Sequence, residues 1–370
     1  MRAVMRNATH ALVLGAAVVV HSVTATVARA QTPESRIPSS LTADSATRAA
    51  LASRLPRLHS DTVRAYPLRR LANGVYAVLG DTGRGSEGRP NAGFIVTPQG
   101  VVVIDALASP AEGRALLRTI RTITPAPVQW LVLTHHHPDH TFGAIVFKRA
   151  GATVIAHPDR QMLAAMDGDD ALASDWTGVM GLREMQGFAF ADTPDIAVTG
   201  DTTFTIGGRA IEVFHPAAAH TGGDLVVWLP AERVMFAGDL LIEDGVTLVV
   251  DGSSAALLQA LDRLDQLHPM TVVPGHGRIP EDAHALIART RCSTRALRTR
   301  IWQALRDGTR MSRVLASFPP ADRDRPVSLA SRNRRNAERV YMELQRAMME
   351  GDAPPPDVAD TTSSFAACQN

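Results

Sequence analysis

The stretch WLVLTHHHPDH, residues 130–140, ends a short apolar run on four histidines and an aspartate. A run of this length and bulk reads as a buried strand. The polar cluster then sits on the loop beyond its C-terminal end, where open α/β sheets place their ligands. Similar short runs recur along the chain: VYAVLG (75–80), GFIVT (93–97), VVVID (101–105), TVIAHP (153–158), DLVVWLP (224–230), RVMFAGD (233–239) and TVVPGHG (271–277). Gly, Pro and Asn bound most of them, as expected of strands. FTIGGRAIEVFHP (204–216) predicts a hairpin around Gly207-Gly208. AEGRALLRTIRTI (111–123) and SSAALLQALDRLDQL (253–267) have helical periodicity, the second capped by Ser253 or Ser254. Strands and helices alternate unevenly, with hairpins mixed in. This predicts α/β layers on mixed sheets and argues against a regular parallel barrel.

The termini divide the chain further. Residues 1–30 combine a basic start at Arg2 and Arg6, an apolar run over Ala11–Val20 and the pattern Ala28-Arg29-Ala30. These features predict a cleaved export signal and a periplasmic or secreted mature protein, with no stable membrane insertion. Residues 31–65 read as an arm or linker, 66–280 as the main folded domain, 281–350 as C-terminal helices and 351–370 as a flexible tail. A formal charge of +1 gives no basic field for nucleic acid. The partner predicted is a small-molecule substrate. An oxidising compartment would permit a disulfide between Cys292 and Cys368, but pairing needs close approach, and two independent thiols are expected.

The histidine cluster has the chemistry of a metal site. Neutral imidazole and carboxylate are the usual ligands of zinc and similar ions. His135 and His137 are two apart, so on an extended backbone they share a side while His136 points away. Asp139 and His140 follow Pro138 and can aim at a second point. The remaining donors sit beside other strands: His220 in AAAHTGGD, Asp239 in FAGD and His276 in PGHG, where glycines permit close backbone approach.

HHHPDH, HTGGD, FAGD and PGHG, in this order and spacing, resemble the motifs of the metallo-β-lactamase superfamily over residues 70–280. The resemblance implies a four-layer αβ/βα sandwich with a C-terminal helical extension and a binuclear site at one edge. It implies one metal on His135, His137 and His220, and another on Asp139, His140 and His276. Asp239 would bridge them and Asp105 would brace the site from behind. Two zinc ions are expected, with iron or manganese as other metals. In such a site a metal-bridging hydroxide attacks the carbonyl of an ester, thioester, lactone or amide. Asp139 is the expected catalytic residue, orienting the nucleophile and passing a proton.

The aspartate at position 239 is more like glyoxalase II and exported quinoprotein-associated hydrolases than like the cysteine-containing β-lactamases. No lysine follows Asp239 in LLIEDG to hold a lactam carboxylate. Weak β-lactamase activity and a mononuclear iron oxygenase similar to persulfide dioxygenases are the alternatives, and a non-catalytic binding protein is a third class. Arg84, Arg89 and Arg278 are candidate anion binders. Residues 159–200, rich in Met and carrying Trp176, read either as ordinary packing or as an apolar lid over the metals.

Overall fold

The computed structural model describes residues 66–80, 89–159, 168–243, 245–319, 329–351 and 368. The expected export signal, the arm, Arg84, Met162 and Met166, and all of the tail but Gly351's end and Cys368 lie outside these residues.

Two sheets form the centre. The first has seven strands in sequence order: β1 (Leu68–Ala72), β2 (Val75–Val78), β3 (Ala92–Thr97), β4 (Gly100–Ile104), β5 (Val128–Val132), β6 (Thr153–Ala156) and β7 (Ile196–Ala197). Pairing is antiparallel from β1 to β4 and parallel from β4 to β7. The second sheet has the order β12-β11-β10-β9-β8, built from β8 (Asp201–Ile206), β9 (Arg209–Phe214), β10 (Val226–Leu229), β11 (Val234–Ile242) and β12 (Thr271–His276). Only β11 and β12 pair in parallel there.

The central strands β4, β10 and β11 are buried throughout because both faces of each sheet are covered there, whereas β1 and β8 expose polar residues at the sheet edges. In β4, Val102 and Ile104 face the layer between the sheets, where they meet Val213, Val227 and Phe236 of the second sheet. Val101 and Val103 face the opposite way, onto Leu116 and Ile120 of α1 (Pro110–Ile123). Each such fully buried side chain contributes about 2 kcal/mol relative to exposure. Tyr76 and Phe94, directly opposite in β2 and β3, stack at 4.8 Å.

The helices complete the four layers. α1 starts where Ser109 Oγ accepts from Glu112 N and Glu112 Oε2 accepts from Ala108 N, so the cap and the third helical residue satisfy donors at the helix start. The short helices α2 (Pro138–Thr141) and α3 (Ala144–Arg149) follow β5, and α4 (Gly168–Met180) follows β6. The HPDH segment, expected as loop, therefore begins a helical turn, which Pro138 favours at its first position. On the outer face of the second sheet lie α5 (Ser254–Gln266), α6 (Ala283–Arg306), α7 (Met311–Ala316) and α8 (Leu329–Glu350). Leu257 and Leu261 of α5, Ile301 of α6 and Val340 of α8 share one core with Val226 and Val272. The C-terminal helices are thus a layer of the sandwich. No helix among the described residues is long and apolar enough to cross a membrane.

One expectation is overturned. Cys292 and Cys368 form a disulfide, with Cα atoms 5.5 Å apart across 76 positions. Cys368 returns to the buried side of α6, a long-range approach that local sequence pattern does not encode.

Candidate metal centre

The seven side chains expected to be ligands meet at one end of the two sheets. β5 ends into His135, His137, Asp139 and His140; β11 carries Asp239; β12 ends at His276; and His220 precedes β10. The sheets are joined at this end, where Leu225 N donates to Thr134 O at 2.6 Å. Gly275 allows the approach of β12 to β11, since a Cβ there would overlap Asp239 Oδ1. Asn91 fixes the same turn, donating from Nδ2 to Pro274 O and Gly277 O at 2.8 and 2.9 Å.

Two groups of three donors match the expected ligand sets, and a third, His135, His140 and Asp239, joins them. His135, His137 and His220 place ligand atoms within 4.8 Å of one another, and so do Asp139, His140 and His276. Within the first, His220 Nε2 lies 2.9 Å from His137 Nδ1. Within the second, Asp139 Oδ2 lies 3.0 Å from His276 Nε2 and 3.6 Å from His140 Nε2. Asp239 stands between the groups, with Oδ2 3.7 Å from His220 Nε2 and 3.6 Å from His276 Nε2, and Oδ1 3.2 Å from His140 Nε2.

The outer nitrogens are held by the fold. His140 Nδ1 meets Asp105 Oδ2 at 2.9 Å, and Asp105 also accepts from Thr134 N and Oγ1. Asp105 has φ of 59°, a left-handed conformation uncommon outside glycine, so its position is fixed by these bonds. His220 Nδ1 faces Leu248 O at 2.7 Å, His137 Nε2 faces Asp251 Oδ2 at 2.8 Å, and His135 Nδ1 faces Thr134 Oγ1 at 3.1 Å. Imidazoles held this way on one nitrogen present the other as a fixed lone pair. Asp105 is therefore a brace and not a helix cap.

The inner atoms fit divalent metals. His135 Nε2, His140 Nε2 and Asp239 Oδ1 are buried and make no hydrogen bond. Buried polar groups are normally paired, and unmatched ones gathered at a point are the mark of an ion. Burial and the neighbouring His140 and His137 hold His135 well below the usual histidine range, and burial with His137 brings His220 to about 4. Both rings are therefore neutral, as ligation requires. Burial opposes ionisation of Asp139 and Asp239, but the surrounding histidines outweigh it and keep both carboxylates charged.

His136 points away from this centre, as its spacing predicts. It is buried, its nitrogens make no hydrogen bond, and burial lowers it to about 3. It comes within 4.8 Å of His137 and Asp251, but those two are already bonded to each other.

A cavity of about 160 Å³ opens over the ligands, reached by His137, Asp139, His220, Asp239 and His276. Trp176 of α4 forms one wall, and its Nε1 donates to Ala108 O. Met180 and Met185 instead pack with Ala108 and Phe142, so the 159–200 segment supplies both packing and one cavity wall. Leu248, Val250 and Asp251 form a second wall, and Arg332 and Arg335 of α8 a third. Arg278 is exposed and faces Glu243 at 3.5 Å, and neither it nor Arg89 is among the lining residues. Asp251, Arg332 and Arg335 escape motif reading because they come from a turn and a distant helix. The one local signal for Asp251 is its place in an Asp-Gly turn before a helix cap.

Comparison with known proteins agrees with this geometry. The family model described as Metallo-beta-lactamase superfamily matches residues 85–276. A type 2 metallo-beta-lactamase from Bacillus sp. (strain 170) is 24% identical over 201 residues, 52% of this chain and 69% of that protein. A hydroxyacylglutathione hydrolase from Bartonella henselae is 26% identical over 170 residues, 46% of this chain and 54% of that protein, so the chain spans about half of that relative's length. The solved stereoselective inverting sec-alkylsulfatase from Pseudomonas sp. superposes with a TM-score of 0.58 at 18% identity, covering 79% of this chain and 52% of that one, a likeness of fold. With its matched region exceeding half its length and its two sheets layered between helices, the chain belongs to the metallo-beta-lactamase superfamily.

Proposed function

We propose that this protein is an exported metal-dependent hydrolase that uses two divalent ions, zinc in the first instance, to cleave an ester, thioester, lactone or amide. The observation that carries the reading is the convergence of the inner donor atoms, three of which (His135 Nε2, His140 Nε2 and Asp239 Oδ1) are buried without a hydrogen bond, on imidazoles whose outer nitrogens are fixed. His135, His137 and His220 would hold one ion, Asp139, His140 and His276 the other, and Asp239 both. When bound, such ions supply Lewis acidity and make water a nucleophile near neutral pH.

The protein's own groups do the rest. Asp139 lines the cavity and is kept anionic by His140 and His276, so its carboxylate can orient the attacking water and accept its proton. Trp176, Leu248 and Val250 narrow the cavity and limit bulk water around the reacting group. Its size suits a small acyl group. The names of two similar proteins, a β-lactamase and a hydroxyacylglutathione hydrolase, support hydrolysis as the reaction class. The N-terminal 30 residues and the Cys292–Cys368 bond support export, since disulfides persist in oxidising compartments.

Chromogenic esters, thioesters, lactones and a cephalosporin test the reading. Zinc-dependent turnover, abolished by chelator and restored by zinc, is expected for at least one carbonyl substrate. Oxygen uptake with persulfide on an iron-loaded protein would contradict it.

A further inference from the structure

His136 has no part in the ligand set described above. It is 8% exposed, and neither ring nitrogen makes a hydrogen bond among the described residues. Leaving a buried polar group unmatched is costly, and an ion or a water is the usual partner where no protein group serves.

A donor set stands beside it. One donor atom from each of His136, His137 and Asp251 lies within 4.8 Å of the others. His137 turns Nδ1 toward His220 and Nε2 toward Asp251, so it can serve the centre with one nitrogen and this second group with the other. Two imidazole nitrogens and a carboxylate oxygen suit zinc and similar divalent ions. His137 and Asp251 both line the cavity over the centre, so an ion and the waters that complete its shell reach the group from there.

The carboxylate is fixed by the C-terminal helix, which clamps its turn. Asn336 Nδ2 donates to Thr247 O at 2.8 Å and its Oδ1 accepts from Val249 N at 3.0 Å. Arg339 Nε and Nη2 both donate to Gly252 O. Glu343 accepts from Ser254 N, Ser254 Oγ and Ala255 N, and Arg298 of α6 donates to the same carboxylate at 2.8 Å. Positions 336, 339 and 343 follow the three-and-four spacing of one helix face. Asp251 is thus held through its neighbours on both sides, and it keeps its place whether a proton or a metal lies between it and His137.

We propose that His136, His137 and Asp251 form a third metal site, for a divalent ion of the zinc class, joined to the centre through the His137 ring. The ion takes the place of the proton between His137 Nε2 and Asp251 Oδ2. A metal–nitrogen bond forms, the nitrogen–hydrogen bond breaks and the proton leaves to the buffer. His137 then bridges two ions as an imidazolate, and His136 supplies the remaining nitrogen. This rests on the metallohydrolase reading, because the site shares His137 with the centre. A third cation is repelled by the first two and must displace a proton, so it binds more weakly than they do and leaves on desalting.

The test is equilibrium dialysis of the full chain against rising zinc, with the imidazole N–H signals of nitrogen-15-labelled histidine followed by NMR. About three equivalents per chain are expected at excess zinc, the third filling in step with loss of the His137 N–H signal. His136→Phe should lose the third equivalent, keep the first two and keep the His137 signal at every zinc concentration. His136→Gln should do the same and serves if the phenylalanine chain does not fold. The signal is also read on the unmodified chain, so the test does not depend on either variant. Saturation at about two equivalents overturns the third site and leaves the hydrolase reading standing. A third equivalent that survives both variants, or that fills with the His137 signal intact, is an adventitious ion only and overturns it as well. Loss of the first two ions in both variants overturns it too, because His136 then serves the centre. A chain that takes up no zinc overturns the hydrolase reading and this inference with it.

Discussion

Asp251 Oδ2 lies 2.8 Å from His137 Nε2, joining residues 114 positions apart. The contact turns the other nitrogen of His137 toward His220 and couples a turn of the second sheet to a ligand of the first. The sequence shows His137 by its motif. Asp251 is visible only once the sheets are layered.

Removing that carboxylate tests the coupling. Asp251→Ala should weaken metal binding at the His135, His137 and His220 group by about 10- to 100-fold, the usual cost of losing a group that orients a ligand. Chelator competition should show the loss for one equivalent and leave the other near its original affinity. Asp251→Asn keeps a hydrogen-bond acceptor and should lose less.

Metal binding should release protons. Burial opposes the charge on His140, but Asp139, Asp105 and Asp239 outweigh it and raise the ring well above the usual histidine range. Burial likewise opposes charge on His137, and the Asp251 hydrogen bond with Asp139 raises it. Both rings therefore hold a proton to higher pH than a free imidazole does. Ligation needs them neutral, so each must give up a proton and affinity must fall as pH falls. Calorimetry in buffers of different ionisation enthalpy should find about one proton released per raised histidine. Buffer-independent heats would contradict this.

The clamp on α8 has its own signature. Glu343 joins α8 to the start of α5 and to Arg298, whose side chain is 2% exposed. Glu343→Gln removes the charge beside a buried guanidinium and should cost about 3 kcal/mol in urea unfolding of the metal-free chain. Because the same helix grips the turn bearing Leu248 and Asp251, metal affinity should fall as well. A stability loss with unchanged metal affinity would separate the two functions.

The disulfide should be a stability element. Closing a loop across 76 positions restricts the unfolded chain and contributes about 2–4 kcal/mol. Cys368→Ser, or reduction, should lower the unfolding free energy by that amount, and the midpoint with it, without changing metal content. Equal midpoints under reducing and oxidising conditions would count against it.

Most of the strands, α1, α5 and the seven donors were legible in the sequence because each rests on local pattern: β-branched runs between glycines, apolar residues at helical spacing, histidines two apart after a strand; β1 and the two-residue β7 were not. Asp105 was legible only as an aspartate closing VVVID whose bracing role the resemblance implied, and its contact with His140 Nδ1 places it behind the site. The Cys292–Cys368 bond, the grip of Asn336 and Glu343, and the place of Arg332 and Arg335 were not legible. They depend on where a C-terminal helix docks, and α8's periodicity shows that it has an apolar face without showing what that face meets. Arg278, beside the PGHG motif, was legible as a candidate anion binder, yet its side chain points to Glu243 at the surface.

The most direct test of the account is metal analysis of the chain purified without chelator and reloaded with zinc. The account predicts about two equivalents per chain, with His140→Ala and His220→Ala each retaining about one. A chain that binds no metal after reloading would contradict it, and the unpartnered nitrogens of His135 and His140 would then lack a physical reason.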